Sequence, residues 1–253
     1  MSIWLVFWLL LVVVFAGFVI WTSVILLRQK SAWKEYADKR KLRYKRGGLM
    51  QSPEVQGVID NHRVSVFTSE HMVDNARNNR KLMAIEVNLN SVMPVAGGVA
   101  SGGLVSVLKS MELKQEYAPK HERWNKAYVA MADSRGVMSR YLTDARVEAL
   151  AGLMGLKHAW VILAFRDDKM LLRIDTADPL DSAAALDKIV KAMLAAAEAL
   201  ELGSGESKVL KSDAVKAEAQ AVSLEVDDEA LDVGGLQLEE NENEVSSEES
   251  EKP

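Results

Sequence analysis

One uninterrupted apolar run near the start constrains this chain more than any other feature. Ile3 to Leu27 contains no Asp, Glu, Lys, Arg, His, Asn or Gln. At about 1.5 Å per residue, a helix over this run is about 37 Å long. That length crosses a hydrocarbon core of about 30 Å with some tilt. We therefore predict a transmembrane helix over residues 1–27.

Amphipathic and basic side chains flank the run, as they do at membrane–water interfaces. The predicted interface residues are Trp4, Trp8, Trp21, Arg28, Lys30 and Trp33. A cleaved signal peptide would need a basic start, a shorter apolar stretch and a small-x-small cleavage site. None of these is present, so we expect an uncleaved single-pass anchor.

Charge is strongly segregated behind the net value of −5. Residues 28–46 carry nine basic and two acidic side chains, which predicts a helical juxtamembrane stalk. Positive charge remains on the cytoplasmic side of a span. We therefore place the domain in the cytoplasm, at the inner membrane. The stalk either contacts anionic lipid headgroups or only fixes topology, and we favour topology as its main role.

The last segment, residues 206–253, carries 15 acidic and four basic side chains. Residues 206–222 are rich in Ala and Lys and predict at most a marginal helix. Beyond them, the composition cannot bury enough apolar surface to offset the entropy of ordering. We predict a largely disordered tail that either solubilises the protein or docks to a partner.

Residues 47–205 read as one mixed α+β domain. Strands are predicted over 42–46, 55–59, 63–67 and 82–89, the last of which alternates between apolar and polar residues. Further strands are predicted over 127–132, 160–165 and 170–174, where 160–165 is apolar on both faces, as in a buried strand. Thr143 and Gly155 bracket a predicted helix over 144–154. A second helix is predicted over 182–202, with an apolar stripe that includes Leu186 and Met193. The order is a strand-rich half followed by β-α-β-β-α, which is typical of α+β folds.

Several short motifs carry a family resemblance. They are Trp33-x-x-Tyr36-Ala37, Gly57, Arg63-Val-Ser-Val, Trp124-x-x-x-Tyr128, Tyr141-Leu-Thr143 and Leu171-Leu-Arg-Ile174. With them, the chain resembles a class of uncharacterised bacterial single-pass membrane proteins with a cytoplasmic α+β domain. The resemblance covers about two-thirds of the chain and implies no activity.

A search for chemical motifs returns no catalytic, cofactor or metal site. There is no cysteine, and the best opportunity for HExxH has Asn125 where the second ligand belongs. No GxSxG elbow, Walker loop or GxGxxG occurs. Glu70, His71 and Asp74 are close in sequence, but a polar loop explains them better than a metal site. The near-neutral domain and acidic tail also argue against nucleic acid.

An uncharged, glycine-rich stretch from Val87 to Leu108 is the most unusual part of the domain. A second membrane span, a membrane-touching loop and a flexible loop between the two halves are the alternatives. We favour the flexible loop, since long loops are often functional. Its candidate binding residues are Pro94, Gly97, Gly98, Gly102 and Gly103.

These features favour a membrane-anchored cytoplasmic module that binds or scaffolds another protein beside membrane lipids. The alternative is a membrane-proximal domain that binds a lipid or small molecule. An enzyme ranks third, because no catalytic constellation is recognisable.

Overall fold

The computed structural model describes residues 3–48, 51–71, 80–217 and 219. The chain divides into two compact units, Met1–Ala214 and Val215–Pro253. The first unit is an α+β fold with a long N-terminal apolar helix, as predicted. In the second, residues 215–217 and 219 are helical. The rest of the acidic tail, where we predict disorder, lies outside the described residues.

The elements follow one another along the chain with these bounds: α1 (Ile3–Arg40), β1 (Arg43–Lys45), β2 (Glu54–Ile59), β3 (His62–His71), β4 (Arg80–Leu89), β5 (Gly97–Ala100), a 3₁₀ turn (Gly102–Leu104), α2 (Val105–Lys109), β6 (Gln115–Tyr117), β7 (Val129–Ala132), α3 (Arg135–Tyr141), α4 (Asp144–Met154), β8 (Ala159–Arg166), β9 (Lys169–Thr176) and α5 (Ala183–Leu200).

The strands of the described residues form one sheet in the order β1-β2-β3-β4-β9-β8-β5-β7-β6. Every neighbouring pair is antiparallel. Two tight hairpins help to set the register. Asp60 and Asn61 join β2 to β3, and Asp167 and Asp168 join β8 to β9, all four at positive φ. Asp and Asn tolerate that conformation, which two-residue hairpins favour.

Alternation along the strands gives the sheet two unlike faces. The first face is apolar, and residues such as Val66, Ile85 and Ile174 pack with residues of α1, α4 and α5 into the main core. On the second face, the 3₁₀ turn and α2 pack against β5 and β8. Toward β1, the second face carries exposed Arg43 and Arg63. No described helix packs over that part, which we call the open face.

The C-terminal part of α1 belongs to the domain core. Ala32, Trp33, Tyr36 and Ala37 form a stripe at i, i+3, i+4 spacing and are all buried. The indole Nε1 of Trp33 donates a hydrogen bond to the carbonyl of Leu180 at 3.1 Å. The segment predicted as a stalk therefore packs one face against the sheet and α5, and its basic residues lie mainly on the other face.

The glycine-rich stretch is ordered within the described residues and is not a flexible loop. Gly97 and Gly98 lie in β5, which is buried between β7 and β8. A Cβ at Gly98 would stand 2.5 Å from the Leu163 carbonyl oxygen, so the close approach of these strands requires glycine. Gly102 has a φ of +58° beside the Trp160 ring, which also requires glycine.

The folded unit extends past the end of α5. Residues 206–214 are helical, and Leu210 is buried. Arg146, itself buried, donates to both carboxylate oxygens of Glu206, at 2.5 and 2.7 Å. The predicted tail boundary at residue 206 therefore lies inside this unit, whose last residue is Ala214.

Candidate functional site

The path of α1 defines which edge of the sheet lies nearest the apolar run. Gln29 donates to the Pro179 carbonyl at 3.1 Å, and the Lys30 ammonium donates to the Gly48 carbonyl at 2.6 Å. Arg40, about 17 Å further along the helix, pairs with Asp187 at 2.5 Å. The edge formed by the β1–β2 connection, the ends of β3 and β9 and the starts of β4 and β8 is thus next to the run. We call it the α1-proximal edge.

The apolar run emerges from the domain with no intervening spacer. Burial on α1 begins within the run, where Ile25 and Leu26 are already half-buried. Residues before them are mostly exposed, including Trp21 at 69%. Among the described residues, α1 is the one helix long and apolar enough to cross a membrane. The domain surface therefore lies directly beside the last turn of that candidate span.

The six predicted interface residues divide into two groups. Trp4, Trp8, Trp21 and Arg28 are exposed on α1, and their place at a membrane interface remains a prediction. Lys30 is half-buried against Gly48. Trp33 has no exposed surface, so its ring packs against other residues of the protein core and offers no exposed surface to lipid headgroups.

A cleft of about 530 Å³ opens at the α1-proximal edge, between the β1–β2 connection and the end of β3. Its lining includes Lys45 paired with Glu54 at 3.2 Å and Lys81 paired with Glu70 at 3.3 Å. The Phe67 ring supplies an apolar patch. We call this cavity the edge cleft.

Arg46 is the remaining charged residue of the edge cleft. It is exposed and forms no ion pair with another described residue. Its charge is felt by the Tyr44 hydroxyl, which donates to the Lys30 carbonyl at 3.4 Å. Burial raises the pKa of Tyr44, and the nearby Arg46 charge partly opposes that rise. The guanidinium is thus a cation beside α1 whose hydrogen-bonding capacity is available to a ligand.

A buried polar network lies on the second face, where β3, β4 and β9 meet. Asp175 has no exposed surface, yet its carboxylate is fully satisfied. Arg173 donates to both of its oxygens, at 2.7 and 2.9 Å, and also to Glu86 at 3.2 Å. Ser69 donates to Asp175 at 3.1 Å, and His71 contacts the same carboxylate oxygen.

Burial shifts the pKa values of this network. Desolvation raises the pKa of Glu86, and the charge and hydrogen bond of Arg173 offset only part of the rise. For Arg173, burial works against the charged form, but its bonds to Asp175 and its attraction to both carboxylates raise its pKa overall. The bonds of Arg173 to both carboxylates thus offset part of the cost of burying these groups, and burying either partner alone would cost more.

The Ser, His and Asp of this network do not form a hydrolase triad. A triad uses one imidazole nitrogen for the nucleophile and the other for the carboxylate. Here Ser69 and Asp175 both contact Nε2 of His71, so the ring cannot relay a proton between them. The network joins three strands, and this geometry supports structure rather than nucleophilic catalysis.

The predicted binding loop is dispersed through the sheet. Gly97 and Gly98 are buried in β5, while Gly102 and Gly103 pack on Trp160. Trp160 in turn contacts His71 edge-to-face at 5.4 Å. Pro94 precedes β5 in a half-buried turn. These glycines allow close packing, and their role in binding remains a prediction.

A second cavity of about 530 Å³ lies at the opposite end of the sheet and includes His62 and Glu201 in its lining. His62 Nε2 lies 3.1 Å from Glu201, whose same oxygen accepts from the Asn90 backbone at 2.8 Å. These groups tie the β2–β3 turn to the end of α5. His62 Nε2 and Glu201 Oε1 are therefore engaged with protein groups. Since the cavity also lies at the end of the sheet away from the apolar run, it is the weaker candidate for a membrane-proximal ligand.

No group of metal-ligating side chains is found within the part of the chain that the structure describes. Asp74, one member of the Glu70, His71 and Asp74 set weighed from the sequence, lies outside it. The edge cleft was not predicted from sequence. Its lining comes from four separate strands and the β1–β2 connection. In the sequence, the charge of Arg46 looks like any other charge of the basic segment.

No family model and no curated protein sequence matches the chain. Among solved structures, the fold is similar to the crystal structure of the mycobacterial trehalose monomycolate transport factor A, TtfA. The two share 12% identity with a TM-score of 0.41, over 68% of this chain and 94% of that chain. A similarity of this size leaves the function to be argued from the residues of this chain.

Proposed function

We propose that this chain is a single-pass anchored, non-enzymatic module that holds a protein-binding domain against the cytoplasmic face of the inner membrane. The observation that carries the proposal is the continuity of α1 from its apolar run into the domain core. A flexible linker would let the domain move freely. A helix buried on one face at Trp33 and Tyr36 fixes its height and orientation instead.

Charge supports the orientation. The nine basic residues of 28–46 follow the apolar run, and clusters of this kind remain in the cytoplasm. Because the chain has no cysteine, single-cysteine variants test this directly. With a membrane-impermeant maleimide on intact cells, we expect Ile3→Cys to label. Ser204→Cys should label only after permeabilisation. The reverse pattern would contradict the orientation, and release of the chain by alkaline carbonate would contradict the anchor.

The open face supports a protein partner. Around Val58, whose side chain is 66% exposed, it presents Arg43, Gln56 and Arg63 on three neighbouring strands. Arginine is enriched at protein interfaces, and the rims of such interfaces are polar. The edge strand β1 also offers unpaired backbone groups to an added strand.

Site-specific photo-crosslinking tests this surface in the full chain. A benzoylphenylalanine at Val58 should yield a discrete crosslinked protein in membranes. The matched control is Val209, exposed on the helix after α5, and it should yield none. Equal products at both positions, or none at Val58, would count against a partner on the open face.

The second candidate function, binding of a lipid or small molecule beside the membrane, is favoured by the edge cleft. Its volume lies within the range of about 300 to 1,000 Å³ common for ligand sites. A ligand there would lie beside α1, because Lys30 and Gln29 of that helix bond to Gly48 and Ser52 of the cleft lining.

A further inference from the structure

We propose that the edge cleft is a binding site for a phospholipid headgroup, with its phosphate held by the Arg46 guanidinium and flanked by the ammonium groups of Lys45 and Lys81. This inference deepens the second candidate function. It rests on the proposal that α1 spans the membrane.

The depth of the cleft matches the headgroup region. Gln29 and Lys30 contact the turns that line the cleft, through Ser52 at 3.3 Å and Gly48 at 2.6 Å. These residues lie two and three positions past Leu27, which is about 3 to 5 Å along a helix. The polar interface of a bilayer is about 5 to 7 Å thick on each side. The cleft is thus at the level of lipid phosphates without any movement of the domain.

The charges of the cleft suit an anion. Arg46 has no ion-pair partner among the described residues, and its planar guanidinium matches the geometry of phosphate. Lys45 and Lys81 are paired with Glu54 and Glu70 at exposed positions. Exposed pairs are worth about 1 kcal/mol or less, so each ammonium can turn to a phosphate at small cost. The carboxylates of Glu54 and Glu70 could then accept hydrogen bonds from a headgroup that carries its own ammonium.

The walls of the cleft suit the rest of a lipid. Phe67 lies on the second face beneath the Arg173 guanidinium, 5.5 Å from the ring centroid, and is therefore fixed in place. Such a ring supplies apolar contact for the glycerol backbone next to the charged groups. Gly47 and Gly48, which also line the cleft, add backbone without side-chain bulk.

Binding is tested on the full chain in maltoside micelles with the short-chain lipid dihexanoylphosphatidylglycerol as probe. Amide hydrogen exchange at residues 46–48, 51 and 52 should slow on titration. Arg46→Gln should weaken the probe at least tenfold, as loss of one charge-assisted hydrogen bond predicts. Arg166→Gln is the matched control, because Arg166 is an exposed arginine at the opposite end of the sheet. It should bind like the wild type.

Each other outcome overturns the inference. Equal weakening by both substitutions would indicate non-specific attraction to net charge. Protection by inorganic phosphate at the same concentration would show an anion site that does not select a lipid. If the lipid does not slow hydrogen exchange at these residues, the edge cleft does not bind a phospholipid headgroup. Cysteine labelling tests the anchor separately, so failure of the headgroup site and failure of the membrane span are distinguishable.

Discussion

Replacing Trp33 with alanine tests whether the basic segment after the apolar run is part of the domain core. The Trp33 side chain is fully buried and donates a hydrogen bond to the Leu180 carbonyl. Truncating a buried tryptophan costs about 3 to 5 kcal/mol, and the unpaired carbonyl adds about 1 kcal/mol. The sum of about 4 to 6 kcal/mol approaches the entire stability of an ordinary domain, about 5 to 15 kcal/mol.

The assay is urea unfolding of the full chain in detergent micelles. Hydrogen exchange of the amides of β4 and β9 reports the fraction unfolded at each urea concentration. With a slope of about 2 kcal/mol per M, we expect the midpoint to fall by about 2 M or more. Lys34→Ala is the control, because Lys34 is exposed on the opposite face of the same helix turn. It should change stability by less than about 0.5 kcal/mol. Equal midpoints for the two variants would show that the segment is a stalk outside the core.

Three further predictions concern the rest of the domain. Arg146→Met should strand the Glu206 carboxylate, cost about 2 kcal/mol and speed hydrogen exchange around Leu210. Hydrogen bonds from Arg146 hold the pKa of Glu206 below its usual 4.5. This pairing therefore stabilises fully above about pH 4.5 and is lost as the pH falls through the lowered folded pKa. Unfolding midpoints measured from about pH 6 to pH 3 should show that loss in the wild type and less of it in Arg146→Met. Gly98→Ala should destabilise by about 1 to 3 kcal/mol through overpacking. Gly152→Ala in α4, where nothing lies within 4 Å of the new Cβ, should be neutral or stabilising. Thermal melting of both glycine variants beside the wild type measures the difference.

Elements whose signals are local were predicted well from the sequence. The helix expected over 144–154 has those bounds, and the paired strands around Asp167 and Asp168 are in place. Cap residues, turn residues and period-2 alternation act over a few positions, so they can be recognised in a single sequence without knowledge of the fold. The membrane-length apolar run belongs to the same class, because length and composition alone define it.

Strand β5 was missed for a physical reason. Gly97 and Gly98 have no side chains, so the segment shows no hydrophobic period and resembles a loop. Its strand character comes from neighbours on both sides, β7 and β8, that need close backbone approach. The polar network could not be predicted from the sequence either, because Ser69 and Asp175 are brought together only by the pairing of β3, β4 and β9.

By itself, the sequence determined the α+β class, the apolar helix and the segregation of charge that supports an orientation. It also showed the stripe of Trp33, Tyr36 and Ala37 on a basic helix. Only the tertiary structure decided what that stripe contacts, because a buried face is defined by the surface that covers it. That surface is formed by the sheet and α5, and α5 lies more than a hundred residues further along the chain. Its contact with α1 turns a basic segment into the element that sets the height of the edge cleft.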